Sequence, residues 1–122
     1  MFGLLLLPMV AVAPAHAAPN VLVRVLAGPT CAVEQFPPAP ECAPRPVAGA
    51  RIVFIPADTH RHRQVRRSDR SGRITLRLAP GRWTAVPQPV TGLFEATSVV
   101  FRVPVRSHHR TRVVVSYDTG IR

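Results

Sequence analysis

The stretch Ser68-Asp69-Arg70-Ser71-Gly72-Arg73-Ile74-Thr75-Leu76-Arg77-Leu78-Ala79-Pro80-Gly81-Arg82-Trp83-Thr84-Ala85-Val86 decides the fold. It opens on Asp-x-x-Gly. The Asp69 carboxylate can accept hydrogen bonds from amides of its own turn, and Gly72 tolerates a positive φ. From Arg73 to Leu78 the residues alternate: Ile74, Leu76 and Leu78 share one face, and Arg73, Thr75 and Arg77 share the other. That is the signature of a strand in a sheet with one wet side. Pro80-Gly81 fits the centre of a type II turn. It reverses the chain into a second strand whose Trp83 and Ala85 return to the core side, so the stretch reads as a plain hairpin. Nothing in it looks catalytic.

Outward from this stretch the same reading repeats. Val21–Leu26 is a β-branched run ended by Gly28-Pro29. Thr30–Pro46 is a loop dense in proline, which cannot enter a sheet interior. Ala50–Ile55 is a strand apolar on both faces, hence central. Asp58–Arg70 is a polar, cationic loop running into a short edge strand whose arginines blunt aggregation. Pro87–Phe94 is a loop. Ser98–Val103 places Val99, Phe101 and Val103 on one face. Ser107–Arg110 is a turn, and Arg112–Tyr117 is the last strand. Seven short, mainly antiparallel strands with turn signals between them, and no substantial helix, predict an all-β sandwich.

The chain has 122 residues, enough for one domain. Its formal net charge is +10, and every basic residue is arginine, a pattern that GC-rich coding also favours. Such a charge attracts polyanions: nucleic acid, anionic lipid, acidic glycans or teichoic-acid-like polymers. The N-terminus supplies an address. Phe2–Val12 is an apolar run around Leu4-Leu5-Leu6-Leu7, and Ala15-His16-Ala17 is an A-x-A cleavage site. Residues 1–17 therefore read as a signal peptide and 18–122 as a single domain, secreted to the cell envelope. The run is shorter than the roughly 20 apolar residues a bilayer requires, and no second run offers an anchor. The basic residue usual before such a run is missing, which places the expected start codon upstream.

In an exported chain Cys31 and Cys42 are expected to form a disulfide, closing a ring that contributes about 3 kcal/mol on a chain-entropy account. Metal-ligating thiols would need two further ligands, which the loop does not offer. The spacing is not that of a Cys-x-x-Cys redox pair.

Gly49-Ala50-x-Ile52, Ser68-Asp69-x-x-Gly72-x-Ile74 and Leu78-x-Pro80-Gly81-x-Trp83-Thr84 together resemble the carboxypeptidase regulatory-like domain, over about half of the mature chain. Ile74 and Trp83 stand where that family usually carries an aromatic and a tyrosine. The Gly-Pro-Thr-Cys start, the second cysteine in a proline-rich loop and the Asp-Thr-Gly-Ile-Arg end are similar to small exported bacterial proteins of the same superfamily. The resemblance implies a seven-stranded, Greek-key, prealbumin-like (transthyretin-like) sandwich, with Asp69, Gly72, Pro80 and Gly81 as its turn residues.

Chemistry is sparse. No peptidase motif, nucleophile elbow, P-loop or dinucleotide fingerprint is present. The C-terminal Tyr117–Arg122 does not match the Tyr-Arg-Gly-Ser of the hydroxyisourate hydrolases. The acidic residues are scattered, with no paired-carboxylate or calcium-loop spacing. His60 with His62 and His108 with His109 are flanked by Arg61, Arg63, Arg66, Arg67, Arg106 and Arg110, surroundings hostile to a dication. They read as solvated loop histidines. No cofactor or metal is expected.

Arg73, Arg77, Arg82 and Arg102 have outward parity, and guanidinium forks suit phosphate and carboxylate. They are the candidate polyanion-binding residues. Export and the lack of an aromatic-basic platform oppose nucleic acid. The expected function is a secreted, non-enzymatic binding or accessory module whose partners are anionic envelope polymers or another protein. The alternative is a small transthyretin-like hydrolase. Cleavage after Ala17 removes 17 of the 122 residues, leaving 105 that begin at Ala18. Mass spectrometry of the exported protein checks this, and a mature form retaining Leu4 would overturn it.

Overall fold

The computed structural model describes residues 3, 18–32, 39–106 and 108–121. The expected signal peptide, residues 1–17, lies outside these residues apart from Gly3. The chain is all-β. Its strands are β1 (Val21–Gly28), β2 (Arg45–Pro46), β3 (Arg51–Pro56), β4 (Gln64–Arg67), β5 (Arg73–Leu76), β6 (Gly81–Pro87), β7 (Phe94–Ala96), β8 (Val99–Val103) and β9 (Thr111–Asp118). They form two sheets. In the first, β1 is flanked on one side by β9, parallel to it, and on the other by β5 and β2 in turn, with β7 outside β9. The second runs β4-β3-β6-β8 and is antiparallel throughout.

The two sheets enclose one core. Alternation sets it: Val21, Val23, Val25 and Ala27 of β1, Ile74 and Leu76 of β5, and Val113, Val115 and Tyr117 of β9 are buried from the first sheet. Ile52, Phe54, Trp83, Ala85 and Val103 meet them from the second. Phe54 and Phe101 pack edge to face, ring centroids 6.4 Å apart. The Trp83 indole N–H donates to the Ala79 carbonyl at 2.8 Å, so the largest core side chain also closes the turn before its own strand.

The all-β expectation holds, with four corrections. The opening stretch is not a hairpin: β5 pairs with β1 and β6 with β3 and β8, so the Ala79-Pro80-Gly81 turn carries the chain from one sheet to the other. Among the described residues there are nine strands, because Arg45–Pro46 and Phe94–Ala96 also pair. Proline is tolerated in β2 because β2 is an edge. β5 stops at Leu76 and not Leu78. Beyond it the Asn20 carboxamide takes over, accepting from the Leu78 N–H at 2.9 Å and donating to the Leu78 carbonyl at 2.8 Å. Finally, a short 3-10 turn, Pro40–Cys42, interrupts the proline-rich loop. Cys31 and Cys42 are disulfide-bonded.

Two residues of the Ser68–Gly72 turn hold the crossover. Buried Ser68 accepts from the Ala50 N–H at 2.9 Å and donates to the Val47 carbonyl, fixing the turn that leads into β3. Gly72 has φ +72, and a Cβ there would lie 2.6 Å from the Val25 carbonyl oxygen and 3.0 Å from the Val47 nitrogen. Both contacts are backbone, so neither can swing aside. Gly72→Ala is therefore expected to cost about 2–4 kcal/mol, part from the positive φ and part from the forced backbone shift. Urea unfolding followed by Trp83 emission reads this directly, with exposed Ser71→Ala as the near-neutral control.

Tyr117, the one tyrosine of the chain, is buried and donates its hydroxyl to the Gln88 carbonyl at 2.6 Å. Burial pushes its phenol above the ordinary value of 10.0. The native state thus holds this proton more tightly than the unfolded chain. Stability from this group is complete below about pH 10 and is lost as pH rises through the folded value. Absorbance titration at about 295 nm should show a midpoint above 10 in the native protein. Tyr117→Phe should remove this component of the alkaline fall in stability.

Candidate anion-binding pole

Strand direction decides which loops meet. β1, β6 and β9 start at the same end of the sandwich, where β3, β5 and β8 finish. The segments 18–20, 57–63, 77–80, 104–106 and 108–110 therefore converge on one pole. Their sequences bring Arg61, Arg63, Arg77, Arg106 and Arg110 there, with His60, His62, His108 and His109. Asp58 is the one acidic residue in these segments. It lies 3.6 Å from the Arg61 guanidinium and accepts from the His60 N–H at 2.9 Å.

Two hollows open on this pole. One, of about 460 Å³, is lined by Arg77, Arg106, His108 and His109 together with Asn20 and Thr111. The Asn20 carboxamide is committed to Leu78, and Arg77 donates to the Ala18 carbonyl at 3.0 Å. The other, of about 350 Å³, lies between His60, Arg61 and His62 and the Ala79–Trp83 turn. The arginines and histidines lining both are exposed. Such a surface presents positive charge and many N–H donors to solvent, the equipment for anionic groups. Among the described residues no three His, Cys, Asp or Glu side chains converge as a metal site.

The four candidate arginines are exposed, but they do not form one face. Arg82 and Arg102 are direct cross-strand partners on the second sheet. Arg73 is opposite Arg24 on the first. Arg77, just past β5, belongs to the pole. The turn residues have structural partners: Asp69 Oδ1 accepts from the Ser71 and Arg73 N–H groups at 2.8 and 2.9 Å, and the Gly72 N–H donates to the Asp69 carbonyl. Gly81 has φ +132.

Arg106 and Arg110, together with the two histidine pairs, are gathered by topology. The signal for this was present in the sequence. With the short β2 and β7 left aside, successive strands reverse direction, so every second connection lies at the same end, and all four of these histidines fall in such connections.

Comparison with protein families, curated proteins and solved structures found no match. Among the described residues no helix is long and apolar enough to cross a membrane.

Proposed function

We propose that this chain is a secreted, non-enzymatic β-sandwich module of carboxypeptidase regulatory-like, prealbumin-like type, contacting anionic polymers of the cell envelope through its cationic pole. The observation that carries this reading is the convergence of Arg61, Arg63, Arg77, Arg106 and Arg110 with four histidines on one pole, where Arg61, Arg77, Arg106 and the histidines line two hollows, against the single carboxylate of Asp58. The apolar leader at residues 2–12 and the Cys31–Cys42 disulfide support an oxidising, extracytoplasmic setting.

The 460 Å³ hollow favours one second reading, a small transthyretin-like hydrolase, because it sets two imidazoles beside two guanidiniums. Its open, solvated lining works against that reading, since catalytic electrostatics gain strength where water is excluded. Ester hydrolysis above buffer that is abolished by His108→Ala/His109→Ala would favour the hydrolase.

The binding reading is tested on a polyphosphate column eluted with salt. Arg77→Ala/Arg106→Ala and Arg45→Ala/Arg70→Ala both lower the formal charge from +10 to +8. Only the first pair touches the pole. Earlier elution of that pair is expected, and identical elution of the two variants would show that overall charge, not the pole, holds the polymer.

A further inference from the structure

β8 is an edge strand, paired on one side only. The Arg82 carbonyl accepts from Ala57 N–H at 2.9 Å, so the backbone groups of Arg82 face β3. By alternation Gly81, Trp83 and Ala85 face β8, and their partners Val103, Phe101 and Val99 face back. The N–H and C=O groups of Val100 and Arg102 are left pointing outward from the sheet.

Several other edges are guarded, while β9 is paired by β7 only at Tyr117 and Asp118 on its outer side. On β4 the Arg66 guanidinium donates to the Val65 carbonyl at 2.9 Å and to Gln64 Oε1 at 3.1 Å. On β5 the N–H and C=O of Arg73 are both engaged by Asp69. β2 has two residues, one a proline, and β7 has three with an irregular register. Edge strands without such protection are templates for another strand. On β8 the exposed side chains are also specific in kind: Val100 is 63% exposed, and Arg102 sits beside Arg82.

We infer that β8 is a strand-addition site for an acidic extended peptide, which pairs antiparallel with Val100 and Arg102. The partner would carry an acidic residue opposite Arg102 and an apolar residue opposite Val100. In antiparallel pairing these lie two apart in the order acid-x-apolar. Charge selects this occupant. Arg82 and Arg102 are like charges directly opposite each other, an unfavourable pair that one added carboxylate neutralises from the open side. A second copy fits less well: pairing about Phe101 sets Arg102 against Val100 of the copy, supplies no acid and joins two chains of charge +10.

The test uses two synthetic peptides, one containing Thr-Glu-Thr-Val-Thr and one containing Thr-Lys-Thr-Val-Thr, measured by calorimetry with amide hydrogen exchange. The glutamate peptide should bind unaltered protein at least about tenfold more tightly than the lysine peptide. It should also protect the Val100 and Arg102 amides. Arg102→Glu should reverse the preference. Val100→Pro removes an N–H that β6 does not use and keeps the Arg102 charge, and should abolish binding of both peptides while Trp83 emission stays native. Retained affinity in Val100→Pro would mean charge attraction without strand pairing and would overturn the proposal. So would unchanged exchange at the two amides, or a homodimer in solution that the peptide does not dissociate.

Discussion

At Val25 one edge of β1 passes from one neighbour to another. Its N–H donates to the Gly72 carbonyl at 2.7 Å, and its carbonyl accepts from the Val47 N–H at 2.9 Å. Before this point β1 is paired by β5, and after it by β2. Three backbone segments meet at a contact too close for any Cβ, so the joint needs glycine on packing grounds and again on its φ of +72. Much else depends on this joint. It sets the register of β5 and so turns Ile74 and Leu76 inward and Arg73 outward. It also places Ser68 where its hydroxyl can fasten the turn into β3, coupling the two sheets through a five-residue turn and not through the core alone.

This joint explains what could be read in the sequence and what could not. Alternation in Arg73–Leu78 and at Trp83 and Ala85 reports which face of a strand meets the core, because the side-chain period of a strand is two. It carries no information on which sheet the strand joins. The turn at Pro80-Gly81 has the chemistry of a reversal, and a reversal between sheets uses the same residues as one within a hairpin. β7 escaped because Phe94 is exposed and the register slips between Phe94 and Ala96, so no alternation survives. Asn20 escaped because a side chain substituting for a strand leaves no periodic trace. The candidate site was partly legible for the same reason: outward parity found Arg73, Arg77, Arg82 and Arg102, and sheet membership divided them.

The distribution of charge then says what the arginines do not do. Like charges gathered on one end oppose the compact state, and exposed ion pairs such as Asp58–Arg61 return little. The stability of the sandwich rests on its buried strands, the disulfide and the satisfied turns, with the cationic pole as an added electrostatic cost. A coding bias accounts for arginine in place of lysine. It does not account for the placing of five of the sixteen arginines and four of the five histidines in segments 57–63, 77–80 and 104–110, which make up eighteen of the 122 residues.

The pole and the open edge also differ in the physics of recognition. Charge at the pole acts over about a Debye length, tolerates any spacing of anions and weakens with salt. The β8 edge acts through backbone groups at fixed spacing, so it reads register and chain direction, and only its Arg102 contact is salt-sensitive. Arg82 and Arg102 link the two, lying on the second sheet near the pole end, where β6 begins and β8 finishes. A polypeptide partner attracted by the pole would reach β8 without leaving the positive field, and the edge would then decide which of the attracted chains is held.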